Sequence, residues 1–377
     1  MGEFTETYRL SNKTISLNRL AGVPKPGPLN QVMIAATRHV KEDEVFVAGS
    51  GLIISALWSI QAGGRITVWT ENFAEAMSLR VTCEANGIPV PEIVLDAGFV
   101  QLSERAFDQV MIHVPRGREY QQELLDLTLA LLREDGRLIF AGAKNEGIRS
   151  VLGDVRARFG RAGIVSRKGG CQAGLARRPE GHFEIPTLTF EHHTLEVDGI
   201  CIELCACTGV FAHDRLDQGT HNLIAGMKVA PEMRVLDLGC GTGLAGLAAA
   251  QRGSSVIWTD VSARAVESAR KTLQANGVSD PEIHLCHGAR AIEDQTIDAV
   301  ITNPPFHQGH DINFEVSRLF VSESYRVLKP GGRIYLVANN FLPYPKWLQE
   351  HFIGVTVVQE DARFKVYRAQ KPSAAYP

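Results

Sequence analysis

Two separated segments of this chain recur at one constant spacing, which constrains the fold more than any other feature. Residues 235–243 (VLDLGCGTG) recur 190 positions earlier as residues 45–53 (VFVAGSGLI). Residues 297–305 (IDAVITNPP) recur at the same spacing as residues 107–115 (FDQVMIHVP). A constant offset across separated segments is the signature of an internal duplication. The chain of 377 residues is long enough for two domains.

Each half alternates short apolar runs with helical patterns, which is typical of an α/β fold. We expect two tandem Rossmann-like domains, over residues 1–185 and 186–377, the first a degenerate copy of the second. Residues 182–211 alternate apolar and polar side chains, and we expect them to form an antiparallel lead-in to the second domain. The second copy is expected to contain strands at 234–238, 255–259, 283–286, 297–302 and 333–338, and helices at 244–251, 263–276 and 319–328.

Composition excludes some classes of protein. The net charge is −3, so nucleic-acid binding would require a local basic patch. The N-terminal residues lack a signal-peptide pattern, and the seven cysteines are scattered. We expect a cytoplasmic protein that does not bind a membrane and is monomeric. Cys201, Cys205 and Cys207 lack the further ligands of a zinc set, so no metal site is predicted.

A glycine-rich loop follows a strand and precedes a helix in the second copy. Asp237 opens this loop, which contains Gly239, Gly241 and Gly243, and Asp260 follows the next strand. Glycines let the backbone approach a ligand, and a carboxylate at the second strand tip can accept two ribose hydroxyls. The spacing matches neither the phosphate loop nor the dinucleotide fingerprint. The combination favours S-adenosylmethionine over NAD.

Asn303, Pro304, Pro305 and Phe306 end a later strand at the same edge of the sheet. The exocyclic amine of a base is a poor nucleophile because its lone pair is delocalised into the ring. The Asn303 side-chain oxygen and the Pro304 carbonyl can accept its two N–H bonds, and Phe306 can stack on the base. We expect Asn303, Pro304 and Phe306 to be catalytic, with Pro305 contacting the substrate.

These motifs make the second half resemble class I S-adenosylmethionine-dependent methyltransferases. The duplicated plan makes the whole chain similar to the bacterial ribosomal RNA guanine-N2 methyltransferases. The segment from Gly209 to Gly219 also resembles the opening of that family's catalytic domain. The resemblance implies that Phe211 and the region of Asp217 flank the cofactor or the target base. The segment 286–289 lacks an obvious polar side chain for adenine, so we expect the backbone at Ala289 to contact it.

The expected reaction is methyl transfer to the N2 amine of a guanine in ribosomal RNA, with 16S rRNA of the small subunit favoured. The partner is ribosomal RNA or an assembling subunit. Protein glutamine-N5 methylation, adenine-N6 methylation and a non-catalytic RNA-binding assembly factor remain alternatives. The sequence does not identify the target nucleotide.

Residues 149–178 contain eight Lys or Arg side chains and one acidic residue. They form either a solvated helix face followed by a linker or a surface that contacts the RNA backbone. The second interpretation assigns substrate binding to Arg156, Arg158, Arg161 and Lys168. We expect the first copy to bind no cofactor, because Val47, Ile53 and His113 replace Asp237, Gly243 and Asn303.

Overall fold

The computed structural model describes residues 3–10, 13–37, 40–103, 105–197, 199–305, 307–308, 311–312 and 314–373. These residues form two compact units, which meet in the sequence between Leu188 and Thr189. Among the helices of the described ranges, none is both long and apolar enough to cross a membrane.

The first unit is an α/β domain that begins with a hairpin. Its strands are β1 (Glu3–Leu10), β2 (Lys13–Leu20), β3 (Glu44–Ala48), β4 (Arg65–Thr70), β5 (Glu92–Leu95), β6 (Phe107–His113), β7 (Leu132–Ala143), β8 (Ala162–Lys168) and β9 (Cys171–Arg177). Its helices are α1 (Pro28–Ala36), α2 (Ile53–Gln61), α3 (Phe73–Ala85), α4 (Arg118–Leu131) and α5 (Ile148–Phe159), with 3₁₀ turns at Val100–Leu102 and Lys144–Glu146.

The second unit repeats this plan. Its strands are β10 (Glu191–Val197), β11 (Ile200–Ala206), β12 (Arg234–Leu238), β13 (Ser255–Asp260), β14 (Glu282–Leu285), β15 (Ile297–Thr302), β16 (His307–Gln308), β17 (Asp311–Ile312), β18 (Leu328–Asn339), β19 (Ile353–Glu360) and β20 (Phe364–Gln370). Its helices are α6 (Gln218–Gly226), α7 (Leu244–Gln251), α8 (Ala263–Ala275), α9 (Phe314–Val327) and α10 (Tyr344–Gln349).

Both units are built on a seven-stranded sheet with the same strand order. The order is β5-β4-β3-β6-β7-β9-β8 in the first unit and β14-β13-β12-β15-β18-β20-β19 in the second. Within each seven-stranded sheet, the five strands that come first in the sequence are parallel, and the two that come last form an antiparallel hairpin. The strand order reverses beside β12, and in open α/β sheets ligands bind at such a reversal, outside the carboxyl ends of the strands.

The central strands are apolar because helices cover both faces of the sheet. In β12 the side chains of Val235, Leu236 and Leu238 are buried, and β15 is buried almost throughout. Two apolar clusters lie on the second sheet, one around Trp258 and Leu247 and the other around Trp347 and Phe320. This packing holds the strand ends rigidly, which fixes the positions of the side chains that follow them.

Each unit begins with a two-stranded hairpin, β1–β2 or β10–β11, and three polar side chains bond the backbone of its second strand to a helix. We call these three side chains the clamp. In α8, the Ser268 hydroxyl accepts from Cys207 N at 3.1 Å, and the Thr272 hydroxyl accepts from Cys205 N at 3.1 Å. Asn276 accepts from Glu203 N at 3.0 Å and donates to Glu203 O at 2.7 Å. Spacings of four residues place all three side chains on one helix face.

The first unit has the same clamp on α3, where Ser78, Thr82 and Asn86 bond the backbone of β2. The corresponding distances are 3.0, 3.0 and 2.8 Å. The repeat therefore extends to the leading hairpin of the first unit, which the sequence analysis did not find. The equivalent hairpin of the second unit, β10–β11, occupies the region predicted to be an antiparallel lead-in.

Residues 149–178 are not a helix face followed by a linker. They form most of α5 and the antiparallel pair β8–β9, which completes the first sheet. Within this region Gly163 and Gly174 lie inside strands, and Gly169 and Gly170 form the β8–β9 turn. In β9, Gly174 packs against Phe140, where a Cβ atom would lie 2.2 Å from the ring.

Candidate active site

A cavity of about 450 Å³ opens at the carboxyl edge of the second sheet. It lies beside the glycine-rich loop between β12 and α7 and extends to the end of β15. The residues lining it are Phe211, Ala212, Arg215, Asp217, Thr220, Asp237, Gly239, Cys240, Gly241, Thr242, Leu244, Ala245 and Asn303.

The three loop glycines are required for different reasons. All have positive φ angles, of 72° at Gly239, 55° at Gly241 and 84° at Gly243, which disfavour other residues. A Cβ atom on Gly239 would lie 2.8 Å from Phe320, and one on Gly243 would lie 3.2 Å from Ala269. A Cβ atom on Gly241 would meet nothing within 4 Å. Gly239 and Gly243 therefore allow helix packing, whereas Gly241 keeps the cavity side of the loop open.

Asp260 connects the tip of β13 to the glycine-rich loop. Its Oδ2 accepts from Gly241 N at 2.9 Å, and its Oδ1 accepts from Ser262 N at 2.9 Å. A carboxylate has about four acceptor positions, so Asp260 can still accept from a ligand hydroxyl group. Burial raises the pKa of Asp260.

Asp237 is a buried carboxyl group that lines the cavity. Its Oδ2 accepts from Gly246 N at 2.8 Å. Burial raises its pKa to about 7, opposed by the Gly246 hydrogen bond and reinforced by the negative charge of Asp260. Two neighbouring carboxyl groups, one of which lines the cavity, favour a cationic ligand, because a nearby positive charge would stabilise their ionised forms. These acidic groups thus fit the sulfonium and ammonium groups of S-adenosylmethionine.

Asn303 lies at the end of β15 and lines the same cavity. Its Nδ2 donates to Asp217 Oδ2 at 3.1 Å and to Thr220 Oγ1 at 3.1 Å. Asp217 is also the N-cap of α6, because the same Oδ2 accepts from Thr220 N at 3.1 Å. A Cβ atom on Gly219 would lie 2.9 Å from this oxygen, so a larger residue there would displace the Asp217 carboxylate.

The structure brings together five of the residues predicted to contact cofactor or base. Phe211, Asp237, Gly239, Gly241 and Asn303 line one cavity. The Phe211 side chain is 65% exposed, so its ring is available for stacking.

Of the other residues predicted to contact cofactor or base, Gly243, Asp260, Ala289, Pro304 and Pro305 are not among the described residues that line the cavity. Ala289 is fully buried, its carbonyl accepts from Arg326 Nη2 at 2.7 Å, and it is not among the described residues that line the cavity. Pro304 is buried and Pro305 is exposed, directly after Asn303. Phe306 lies outside the described residues.

The four basic residues predicted to bind substrate belong to the first unit and differ in their contacts. Arg158 forms an ion pair with Asp126, with a distance of 2.6 Å from Nε to Oδ1. Arg156 donates to Ala162 O at 3.1 Å and is otherwise exposed. Arg161 and Lys168 are exposed beside and at the end of β8, which is an edge strand.

Comparison with known proteins agrees with this geometry. A family model described as "Methyltransferase small domain" matches residues 201–368. The ribosomal RNA small subunit methyltransferase C of Hahella chejuensis is 33% identical over 270 residues, which cover 71% of this chain and 78% of the relative. The protein of the same name from Pseudomonas aeruginosa is 32% identical over 270 residues, which cover 71% of this chain and 80% of the relative.

The chain belongs to the ribosomal RNA small subunit methyltransferase C family. A solved structure is similar over almost the whole length. The T. thermophilus 16S rRNA guanine-N2 methyltransferase, solved with AdoMet and guanosine, has a TM-score of 0.83 and 24% identity over 98% of both chains. This likeness confirms the predicted fold of two tandem class I methyltransferase-like domains.

The first unit keeps two glycines of the glycine-rich loop, but a different side chain accepts the hydrogen bond from the loop backbone. Glu75 Oε1 accepts from Gly51 N and from Ser50 Oγ, both at 2.8 Å. Its counterpart in the second unit is Ala265, where the loop N–H bonds Asp260 instead. The Glu75 carboxyl is buried, and this raises its pKa to about 7. In the first unit the Glu75 side chain therefore accepts from Gly51 N, the group that corresponds to Gly241 N beside the cavity of the second unit.

The position of Asn303 is also changed in the first unit. His113 is buried and its Nε2 lies 3.0 Å from Ser55 Oγ. Burial lowers the pKa of His113 to about 4, so this ring is neutral at pH 7. A space of about 230 Å³ lies near Gly51, lined by side chains such as Pro24 and Ile54.

Sequence analysis did not assign roles to Thr220, Arg215 or Cys240, and it placed Asp217 only through family resemblance. Asp217, Thr220 and Asn303 stand where the first half has Gly27, Asn30 and His113. Because the two halves differ at most positions, this difference by itself did not indicate a contact between the three side chains.

Proposed function

We propose that this chain transfers a methyl group from S-adenosylmethionine to the exocyclic N2 amine of a guanine in 16S ribosomal RNA. The observation that carries the proposal is that Asp237, the glycine-rich loop and Asn303 line a single cavity. One side of the cavity has the acids that suit a cationic nucleoside cofactor, and the other has an amide that suits an amine. The names of the family members agree with a substrate in the small subunit.

Cofactor binding is assigned to Asp237, Gly239, Gly241, Gly243 and Asp260. Asp237 is suited to the cofactor's cationic end, and the remaining acceptor capacity of Asp260 suits the ribose hydroxyls. S-adenosylmethionine, when bound, supplies an electrophilic methyl carbon. Ala289 is retained only as a backbone neighbour of the adenine, since its side chain is buried away from the cavity.

The amine is activated by orientation. The Asn303 side-chain oxygen and the Pro304 carbonyl accept the two N–H bonds of the guanine amine, which directs the nitrogen lone pair toward the methyl carbon. The N–C bond forms as the S–C bond breaks, and the nitrogen then releases one proton to water. Phe211 is assigned to stacking on the base, with Pro305 and Phe306 beside it. The target base must leave its helix to reach the cavity.

Binding of the RNA backbone is assigned to exposed basic residues of the first unit, chiefly Arg156, Arg161 and Lys168. Arg158 is less suitable because its guanidinium is already paired with Asp126. We propose that the protein acts in the cytoplasm, as a monomer, on ribosomal RNA or an assembling subunit.

The test is methylation of 16S ribosomal RNA, free and assembled into small subunits, followed by mass analysis of the nucleosides. We expect N2-methylguanosine from the native chain. The Asn303→Ala variant should lose about 10²–10³-fold in kcat, the scale for one preorganised hydrogen-bonding group. Its affinity for S-adenosylmethionine should be unchanged. Formation of N6-methyladenosine would show that the target base is adenine and not guanine. Near-native turnover by the variant would show that Asn303 has no part in the mechanism.

A further inference from the structure

Both hydrogens of the Asn303 amide are already used within the protein. Nδ2 donates to the Asp217 carboxylate and to the Thr220 hydroxyl, each at 3.1 Å. An amide has two N–H donors and one acceptor oxygen, so this leaves the oxygen as the free group. Among the hydrogen bonds of the described residues, none engages Asn303 Oδ1.

The Asp217 carboxylate determines which way the amide points. An ionised carboxylate only accepts hydrogen bonds, so it must face the NH₂ group of Asn303. Rotating the amide by half a turn would place its oxygen against Asp217 Oδ2 and remove that hydrogen bond, whereas the Thr220 hydroxyl can donate to an oxygen as well as accept from an N–H group. The rotation would also present NH₂ to the incoming amine, which is a donor itself. An amide in that orientation cannot accept from the substrate.

The first unit shows that the fold does not require this contact. Gly27, Asn30 and His113 replace Asp217, Thr220 and Asn303 there. Helix α1 still begins at Pro28, after an N-cap residue with no side chain. Both α1 and α6 contain nine residues, so the carboxylate is not needed to form the helix.

We propose that Asp217, assisted by Thr220, is a positioning residue that holds the Asn303 amide with its oxygen available to the substrate amine. The proposal rests on the function proposed above. Asp217 contacts neither substrate nor cofactor in this role. It acts through Asn303, and its effect depends on an acceptor atom at the Oδ2 position.

Substitutions at position 217 can separate helix capping from amide orientation. Serine is a favourable N-cap residue, so Asp217→Ser keeps an acceptor for Thr220 N. Its shorter side chain does not reach Asn303. Asp217→Asn keeps an acceptor oxygen at full length. We expect Asp217→Ser to lower kcat by about 10²-fold, the scale for a misplaced catalytic group. KM for RNA, Kd for S-adenosylmethionine and Tm should stay near native values, and Asp217→Asn should restore most of kcat.

A double variant tests whether Asp217 acts through Asn303. Residues that act as one unit have non-additive effects. Adding Asp217→Ser to Asn303→Ala should therefore cause little further loss of kcat. A matched control is Asn72→Ala, which removes the N-cap side chain of α3 in the first unit. It should lower Tm without changing kcat. Additive losses at 217 and 303, or equal losses in Asp217→Ser and Asp217→Asn, would overturn the proposal.

The orientation of the amide can also be measured without any methylation assay. The ¹⁵N side-chain resonance of Asn303, assigned by its absence in Asn303→Ala, should show slow hydrogen exchange in the native chain and fast exchange in Asp217→Ser. Fast exchange in the native chain would contradict the positioning role whatever the substrate is. Slow exchange in a chain that does not methylate guanine would leave the positioning role intact and refute the proposed function.

Discussion

The charge of Asp237 in the candidate site depends on its neighbour Asp260. Asp237 and Asp260 both lie beside the glycine-rich loop, and burial raises the pKa of each. Without a cationic ligand, Asp237 is partly protonated near neutral pH because its pKa is about 7. The site should therefore bind a cationic ligand best when Asp237 is already ionised.

We expect the affinity for S-adenosylmethionine to increase with pH between 5.5 and 7. A cationic ligand favours ionised Asp237, so binding below pH 7 releases one proton and Kd should fall by about tenfold per pH unit. Calorimetry across this range measures the slope directly. Asp237→Asn should bind more weakly and lose most of the slope, whereas a native chain with a flat profile would show that Asp237 is not the linked group.

Glu75 gives a second prediction at the residue scale. Its folded-state pKa of about 7 lies above the ordinary value of 4.5, so its contribution to stability is complete below pH 4.5 and is lost as pH rises toward 7. Compared with Glu75→Gln, the native first unit should lose about 3 kcal/mol of unfolding free energy over this interval. His113 contributes the opposite slope between about pH 4 and 6.5, but it is present in both chains. Parallel stability curves for the two chains would show that Glu75 does not have this pKa.

At the scale of elements, the two units share the geometry of the clamp but differ in the lengths of two loops. The clamp is repeated with nearly the same distances. Ten positions separate Cys207 from Asp217, but seven separate Leu20 from Gly27. Eleven positions separate Asn303 from Phe314, but five separate His113 from Arg118. The second unit thus has three more residues before Asp217 and six more between Asn303 and Phe314 than the first unit has at the corresponding places.

The clamp should contribute similar stability to each unit. Asn86→Ala and Asn276→Ala each remove three side-chain hydrogen bonds, and we expect each to cost about 1–2 kcal/mol of the unfolding free energy of its own unit. Denaturant unfolding monitored by hydrogen exchange assigns the loss to one unit. Asn145→Ala, at an exposed position, is the control. A cost limited to one of the two variants would mean that the repeated geometry has lost its role in the other unit.

The basic residues near β8 have two possible roles. Charged side chains on an edge strand prevent pairing with another chain, and Val165 in the middle of β8 is 55% exposed. If Arg161 and Lys168 contact RNA, changing both to Gln should reduce the salt dependence of binding by roughly one log-slope unit per lost phosphate contact. Arg158→Gln is the matched control, since it breaks an ion pair within the unit. An unchanged slope accompanied by self-association would assign these charges to protection of the edge.

The sequence allowed accurate prediction where a strand or turn depends on adjacent residues. Strands β12 and β15 and helix α7 have the predicted bounds, because apolar runs and loop glycines mark their ends. Helix α9 begins at Phe314, five residues before the predicted start. The β8–β9 pair was missed because its glycines and arginines resemble those of a linker. The contact of Asp217 with Asn303 was missed because 86 positions separate the two residues, and only the fold brings them together.

At the scale of the whole molecule, two copies of one fold have kept different features. Each unit has its own sheet, its own apolar core and its own clamped hairpin. The second keeps the acids and the amide at its strand ends, whereas the first has replaced them with Val47, Thr70 and His113. A further difference accompanies these. A Cβ atom on Gly246 would collide with Trp258 and Asp237. In the first unit the counterpart of Gly246 is Ala56, and the counterparts of Trp258 and Asp237 are the smaller Val68 and Val47.

We therefore expect the full chain to bind one S-adenosylmethionine molecule. Calorimetry should give a stoichiometry of one per chain, and sedimentation should give the mass of a monomer. Asp260→Ala should weaken binding by about 1.5–3 kcal/mol, because it removes charged hydrogen bonds from the site in the second unit. Thr70→Ala, at the equivalent position of the first unit, should leave binding unchanged. A fragment of residues 189–377 should bind the cofactor but methylate RNA poorly, and a fragment of residues 3–188 should bind none. Two sites per chain, or saturable binding by the first fragment, would show that the Glu75 carboxyl does not close the first pocket.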